Sequence, residues 1–210
     1  LSLALIIEEG FALADLKAIL ESIARAAKQA GVQIITGDTK VVPKGAVDQI
    51  FINTTGIGRM VGGVKTGSQQ AQPGDVVILS GTIADHGITV MTQREAFSFE
   101  ADVKSDTAPL NHMVQAMLAT QADVHELRDP TRGGIGTALN EIALASQVGI
   151  RIKEEEIPIN RAVNGICELL GFDPLYLANE GKLLAFVSAK DATKVLNAMH
   201  TDANGRVGRE

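Results

Sequence analysis

A polar turn with the sequence DPTRGG, at Asp129–Gly134, most constrains how this chain can fold, because it fixes where one helix has to begin. We expect Asp129 to cap that helix and Pro130 to fill its first position, where the missing N–H has no intrahelical partner to lose. The amphipathic run from Ile135 to Gly149 predicts the helix that follows.

The same turn is suited to binding an anion. The first N–H groups of a helix and the positive end of its dipole attract negative charge. Gly133 and Gly134 allow a ligand to approach the backbone closely, and Arg132 adds a guanidinium that can donate two hydrogen bonds to phosphate or carboxylate. The local sequence does not specify which anion binds.

Composition places the chain among compact globular proteins. Its 210 residues can bury a substantial core, and the 45% apolar fraction with 21 glycines is typical of a soluble α/β protein with tight turns. The formal net charge is -6, so the chain lacks the concentrated Lys and Arg that hold nucleic acids or anionic membranes. We therefore expect neither partner, and any phosphate site has to be local.

The chain has a single cysteine, Cys167, which excludes an intrachain disulfide and fits a reducing compartment such as the cytoplasm. Cys167 lies on a predicted apolar helix face, so we expect a core thiol. The apolar start at Leu1–Ile7 is too short to span a bilayer and is predicted to be a buried strand. Because the chain begins inside this run and stops at Glu210 without a helix-ending signal, we expect a fragment that lacks both ends.

Amphipathic helices alternate with short apolar strands along the rest of the chain, which predicts an α/β (α+β) fold. Predicted strands cover 32–36, 47–55, 75–80, 150–152 and 183–188. Predicted helices cover 13–30, 85 to about Phe97, a stretch after Asp106, 161–170 and 191–200. The stretch 62–74 loses periodicity and gathers Gly, Ser, Gln and Pro, which predicts a boundary between domains at 1–66 and 67–210.

Three polar turns combine carboxylates, cations and glycines: Gly37–Lys40, Asp129–Gly134 and Asn179–Lys182. Each alone is more often an ordinary cap or turn. Together they offer what a nucleotide triphosphate and its metal require, namely hard oxygen ligands, cations for the phosphoryl oxygens and close backbone approach. None is a Walker A loop, and no glycine-rich dinucleotide fingerprint follows a predicted strand. Of the four histidines, His86 lies between glycines in a turn, where capping and catalysis stay open alternatives.

Six motifs, in order and with consistent spacing, resemble those of the HypE family of hydrogenase maturation proteins. They are Gly37–Val42, Phe51–Thr54, Ser80–Gly87, Arg128–Gly134, Cys167–Gly171 and Ala178–Lys182. That family belongs to a superfamily with aminoimidazole ribonucleotide synthetase, selenophosphate synthetase and thiamine-monophosphate kinase. The resemblance implies a two-domain aminoimidazole ribonucleotide synthetase-like fold. Residues 1–66 would then be a truncated N-terminal domain for ATP binding and dimerisation, and 67–210 a C-terminal α/β domain.

The resemblance also implies a reaction. Members of the family receive a carbamoyl group from HypF as a thiocarboxamide on a C-terminal cysteine. They use ATP with Mg²⁺ to dehydrate it to a thiocyanate, the cyanide donor for the iron of [NiFe] hydrogenase through the HypC–HypD complex. It further implies a homodimer. Because the family's carrier cysteine and its N-terminal glycine-rich and acidic ATP-binding segments are not in this sequence, we expect the fragment not to complete the reaction alone.

Site residues follow from the resemblance and the chemistry together. Glu180 is expected as the general base, with His86 as its alternative, and Arg132 and Lys40 are expected to hold the transferred phosphoryl group. Asp38 and Glu180 are expected metal ligands. The expected ATP-binding residues are Gly37, Asp38, Thr39, Thr131, Gly133, Gly134, Asn179 and Lys182. Two alternatives stay open: another ATP-using member of the superfamily (a selenophosphate synthetase or a small-molecule kinase), or a non-catalytic fragment for dimerisation and partner docking.

Overall fold

The computed structural model describes residues 1–94 and 103–210 of the chain. It separates into two compact units, Leu1–Gly62 and Gly63–Glu210, and each contains a three-stranded sheet with helices. This mixture of sheets and helices confirms the predicted α/β (α+β) class. The assignment of residues 1–66 to ATP binding and dimerisation stays a prediction.

The first unit is a small sheet with one long helix. Its elements are β1 (Ser2–Glu8), α1 (Leu13–Ala30), β2 (Thr36–Val42) and β3 (Ile50–Thr55). The strand order is β2-β1-β3, with β1 parallel to β2 and antiparallel to β3. Two parallel neighbours need a crossover, and α1 supplies it. The helix ends as predicted, at Gly31 with a left-handed φ of 67°.

The prediction of a strand at 32–36 followed by a turn at Gly37–Lys40 was wrong. The strand begins at Thr36, and Gly37–Lys40 lies inside it, paired with β1 from Leu3 to Ile6. A Cβ on Gly37 would lie 2.2 Å from the carbonyl oxygen of Leu3. Gly37 is therefore required for the close approach of two strands, a constraint that a glycine-based turn rule does not contain.

The two faces of this sheet differ in exposure. Leu5 and Ile7 are buried, whereas Ile6 and Phe51 are 38% and 52% exposed and pair with each other across the opposite face. In the register with β1, Asp38 is opposite Ala4 and Lys40 is opposite Ile6. Both charged side chains are therefore on the same face as Ile6.

The second unit packs helices on both faces of an antiparallel sheet. Its elements are β4 (Asp75–Leu79), α2 (Asp85–Arg94), α3 (Asn111–Ala119), β5 (Val124–Arg128), α4 (Gly134–Ser146), α5 (Arg161–Leu170), β6 (Leu184–Ser188) and α6 (Ala192–His200). Short 3₁₀ turns lie at Glu154–Glu156, Pro174–Tyr176, Ala189–Asp191 and Ala203–Gly205. The strand order is β4-β6-β5, so β6 is the central strand.

Alternation along β6 divides the core of this unit between the two faces of the sheet. Ala185 and Val187 belong to the cluster that includes α3 and α6. Leu184 and Phe186 belong to the cluster that includes α4. A third buried cluster joins α2 to α5 and contains Cys167, as predicted for a core thiol.

Most predicted elements of this unit are confirmed, including 161–170, 183–188 and 191–200 to within one residue. The predicted strand at 150–152 is irregular, and the helix expected after Asp106 begins at Asn111. The predicted end of α2 near Phe97 lies outside the described residues. Among the helices that the structure describes, none is long and apolar enough to cross a membrane.

Candidate active site

The DPTRGG turn does not start its helix in the way that we expected. α4 begins at Gly134, its cap residue is Gly133, and no side chain caps it. Gly133 and Gly134 both have left-handed φ values, 78° and 62°. A Cβ on Gly134 would lie 2.4 Å from the carbonyl oxygen of Leu175. The chain needs two glycines here to turn and to pass this neighbouring segment, so Asp129 and Pro130 lie upstream of the helix rather than in it.

Asn179 connects the segments that form the site. Its side chain is buried, and its Oδ1 accepts the N–H of Ala84 at 2.8 Å. Its Nδ2 donates to the carbonyl oxygens of Pro130 at 2.9 Å and Leu177 at 3.1 Å. These bonds occupy the amide inside the protein. The Asn179 side chain thereby joins the turn, the start of α2 and the 175–182 segment, and its assignment to ATP binding stays a prediction.

Glu180 and His86 lie side by side next to this junction. Oε1 of Glu180 is 3.9 Å from Nε2 of His86, and the two side chains are 41% and 24% exposed. Nδ1 of His86 is 2.9 Å from Oγ of Ser105. A partly exposed carboxylate beside an imidazole can take a proton from a substrate and pass it on, so the pair suits general acid–base chemistry.

Lys182 is tied to a buried carboxylate. Its Nζ is 3.4 Å from Oδ2 of Asp106, and the two side chains are 11% and 4% exposed. Oδ1 of Asp106 accepts the backbone N–H of Glu180 at 3.0 Å. The ammonium of Lys182 is therefore directed at Asp106 in this structure, and its assignment to ATP binding stays a prediction.

Asp85 adds a second buried carboxylate to this cluster. Burial raises its pKa above the usual 3.8, while a hydrogen bond from Thr82 and the charge of Lys182 lower it and the charge of Asp106 raises it further. Oγ1 of Thr82 donates to Oδ2 of Asp85 at 2.5 Å. The cluster therefore has two carboxylates close to one ammonium.

Arg132 is exposed on the turn that Asn179 holds in place. No hydrogen bond or ion pair to its guanidinium is found within the part of the chain that the structure describes. Its charge is therefore available to an anion. Thr131 precedes it and uses its carbonyl oxygen to accept the N–H of Gly134.

The predicted residues divide between the two units. The second unit contains Glu180, His86, Asn179, Lys182, Thr131, Arg132, Gly133 and Gly134, and the first contains Gly37, Asp38, Thr39 and Lys40. In the first unit, Asp38 and Lys40 are exposed on one face of the sheet, and Oδ1 of Asp38 accepts the N–H of Thr39 at 2.9 Å.

Among the described residues, no group of three or more His, Cys, Asp or Glu side chains could hold a metal ion. Mg²⁺ often takes only one or two carboxylates and completes its shell with phosphate and water. The assignment of Asp38 and Glu180 as metal ligands therefore stays a prediction, and no step proposed below depends on a metal.

Sequence reasoning missed Asp106 and Ser105 as site residues. In the sequence they are a polar pair shortly before Pro109, which is an ordinary signal for a helix start. The distinguishing feature is their contact with Glu180 and His86, which come from distant parts of the chain.

Comparison with known protein families agrees with this geometry. Residues 1–60 match the N-terminal domain of AIR synthase related protein, and residues 72–207 match its C-terminal domain. The chain belongs to the AIR synthase related family. Its membership accounts for the two units, each with its own sheet.

Relatives within the family are HypE proteins. The chain is 51% identical to carbamoyl dehydratase HypE of Azotobacter vinelandii over 201 residues, which cover 96% of this chain and 59% of that protein. It is 44% identical to carbamoyl dehydratase HypE of Escherichia coli K12 over 206 residues, or 98% of this chain and 61% of that protein. The chain thus spans about three fifths of the length of these relatives.

The solved structures to which the chain is similar also include HypE proteins. The chain is similar to a hydrogenase maturation protein HypE in complex with ATP, with 44% identity and a TM-score of 0.96 over 100% of this chain and 62% of that one. A HypE–HypF complex matches with 48% identity and a TM-score of 0.96, over 99% and 68%. Thiamine monophosphate kinase from Aquifex aeolicus, at 17% identity and a TM-score of 0.68 over 90% and 65%, shares the fold alone.

We predict that Asn179→Ala destabilises the second unit by about 2 to 4 kcal/mol, because it leaves the buried Ala84 N–H and Pro130 carbonyl without their side-chain partner. Urea unfolding followed by the fluorescence of Tyr176, the single tyrosine, would measure this. Asn140→Ala is the matched control. Within the described part of the chain this exposed amide bonds only to Gly136 in α4, so its loss should change stability by less than about 0.5 kcal/mol. Equal stabilities of the two variants would contradict the junction role.

We predict that Asp85→Asn is more stable than the wild type at about pH 8, and that the difference shrinks as the pH falls toward 4. Burial raises the pKa of Asp85 in the folded chain, so folding favours its protonated form. That contribution is complete below the unfolded value and is lost as the pH rises through the raised pKa. Urea midpoints across this range measure the difference, with exposed Asp48→Asn as the control. A less stable Asp85→Asn at high pH would show that attraction to Lys182 dominates instead.

Proposed function

We propose that this chain is the core of an ATP-dependent carbamoyl dehydratase that converts a protein-bound thiocarboxamide to a thiocyanate during [NiFe] hydrogenase maturation. The observation that carries the proposal is the Glu180–His86 pair beside the turn that presents Arg132. Similarity to carbamoyl dehydratases HypE, and to a HypE that binds ATP, supports this choice within the family. A small-molecule kinase of the same fold would also need the anion-binding turn, but it would not need a base for amide protons.

The chemistry requires an oxygen to become a leaving group. The thiocarboxamide oxygen attacks the terminal phosphoryl group of ATP, ADP departs, and one N–H proton is lost. Loss of the second N–H proton then breaks the C–O bond, which leaves a C≡N group on sulfur and releases inorganic phosphate. The oxygen of the amide thus ends in phosphate, and the two nitrogen protons have to be accepted by bases.

Glu180 is the proposed first acceptor of these protons, because its carboxylate is partly exposed and its backbone is held in place. His86, whose Nε2 is 3.9 Å from Oε1 of Glu180, is the proposed group that receives the proton from Glu180 and passes it to solvent. Arg132, whose guanidinium has no bonding partner among the described residues, is proposed to supply positive charge for the phosphoryl oxygens. The assignment of Lys40, in the first unit, to the same task stays a prediction from the sequence. When bound, Mg²⁺ would add further charge neutralisation there.

The partners follow from the same proposal. HypF would supply the carbamoyl group, as the complex of a similar HypE with HypF suggests, and HypC–HypD would accept the cyanide. Cys167 is not proposed as the carrier thiol, because it is buried in the α2–α5 cluster and burial raises its pKa.

We predict that Glu180→Gln lowers the rate of thiocyanate formation by about 100-fold or more, the usual cost of losing a general base, while ATP still binds. The assay needs a protein of the relatives' full length that carries this sequence, with HypF, carbamoyl phosphate and ATP. Mass spectrometry then follows the loss of one water from the carbamoylated cysteine. Exposed Glu155→Gln is the control. Without thiocyanate in the wild type, or with normal rates in Glu180→Gln, the proposal fails.

We further propose that two copies associate through the open sheet face of the first unit. Ile6 and Phe51 are exposed apolar neighbours there. Such residues are common where a second sheet packs. Phe51→Asp should shift the chain from dimer toward monomer in sedimentation equilibrium, whereas Leu144→Asp, at an exposed apolar position on α4, should not. A wild-type chain that sediments as a monomer would refute this contact.

A further inference from the structure

The short segment Ser105–Thr107 contacts both members of the proposed proton-transfer pair. Oδ1 of Asp106 accepts the N–H of Glu180 at 3.0 Å, and Oγ of Ser105 is 2.9 Å from Nδ1 of His86. Oγ of Ser105 also lies 2.7 Å from Oγ1 of Thr107. One segment therefore sets both the backbone of the carboxylate residue and the orientation of the imidazole ring.

Asp106 holds the Asn179–Lys182 turn at more than one point. Its Oδ2 is 3.4 Å from Nζ of Lys182, and its side chain is only 4% exposed. A Cβ on Gly181 would lie 1.8 Å from the carbonyl oxygen of Asp106. The residues on both sides of Gly181 are thus bound to the Asp106 side chain, while Gly181 itself fits against the Asp106 backbone.

Among the described residues, the second oxygen of Asp106 has no hydrogen-bond partner, and it lies 3.4 Å from Nζ of Lys182. A buried carboxylate that is held this way cannot easily rotate, because any other position separates two buried charges. The ion pair thus locks the oxygen that accepts the Glu180 N–H. This is a stronger constraint than a single neutral hydrogen bond on an exposed turn would give.

We propose that Asp106 is a positioning residue, which fixes the Glu180 backbone and thereby keeps the Glu180 carboxylate facing His86 and the substrate. The inference rests on the proposed dehydratase function for its effect on rate, but its structural part does not. A displacement of about 1 Å at a reacting group can cost about 100-fold in rate, so loss of this support should reach catalysis. Asp106 itself touches no reacting atom in this scheme.

The structural part is tested on the chain itself by amide hydrogen exchange. The N–H of Glu180 should exchange slowly although the residue is exposed, because Asp106 holds it. The N–H of Glu155, which is exposed and has no backbone acceptor among the described residues, is the internal reference. Asp106→Ala should abolish the protection of Glu180, whereas Asp106→Asn, which retains a side-chain oxygen but loses the ion pair with Lys182, should keep only part of it. Exchange of Glu180 as fast as Glu155 in the wild type would overturn the proposal, whether or not any variant folds.

The catalytic part is tested in the full-length protein described above. Asp106→Ala should lower kcat for thiocyanate formation by about tenfold or more and leave the KM for ATP unchanged, because the defect lies in proton transfer. In a Glu180→Gln background the same substitution should cause little further loss, since Asp106 acts through Glu180. Asp48→Ala, at an exposed aspartate of the first unit, is the control.

Two outcomes separate this inference from the proposed function. An equal fold-loss from Asp106→Ala in the wild-type and Glu180→Gln backgrounds would show general damage and would overturn the positioning role. A wild-type protein that forms no thiocyanate would refute the dehydratase function. Hydrogen exchange would still decide whether Asp106 holds Glu180.

Discussion

The three hydrogen bonds of the buried Asn179 amide are the interaction on which the polar site depends. Each joins a different stretch of backbone: the start of α2, the DPTRGG turn and the 175–177 segment. A buried amide that loses one of these partners leaves unsatisfied groups, so the amide favours structures in which all three stretches are in place. This junction positions the backbone next to Glu180, which follows Asn179, and the turn that contains Arg132.

The charged side chains around the Asn179 junction differ in how far they are buried. Asp85, Asp106 and Lys182 are shielded from solvent and balance one another in part, whereas Glu180 and Arg132 stay accessible. Burying a charge is costly unless it is paired. The buried carboxylates are therefore held next to the ammonium of Lys182, whereas Glu180 and Arg132 are exposed to solvent. This distinction makes Glu180 and Arg132 the proposed reacting groups and Lys182 and Asn179 their supports. Family membership alone would not separate these roles.

Local sequence signals predicted a helix correctly where the residues that gave the signal also stabilise the ends of that helix. α5 runs from Arg161 to Leu170 as expected, because Asn160 caps its start and Gly171 ends it in the left-handed conformation. The predictions failed where a distant segment decided the outcome. Gly37 is in a strand because of its fit against Leu3, and α4 begins at Gly134 because of the nearby Leu175 carbonyl.

The sequence by itself determined the α/β class, most helix boundaries, the family resemblance and the chemical types of residue at the site. Capping, periodicity and motif spacing are local properties, and they can be read without a fold. Only the tertiary structure decided which of these polar side chains are buried against one another and which stay exposed. Ala84 and Pro130, which bond to Asn179, and Asp106, which bonds to Glu180, lie 49 to 95 positions away in the chain, so burial and hydrogen bonding there depend on how the segments assemble.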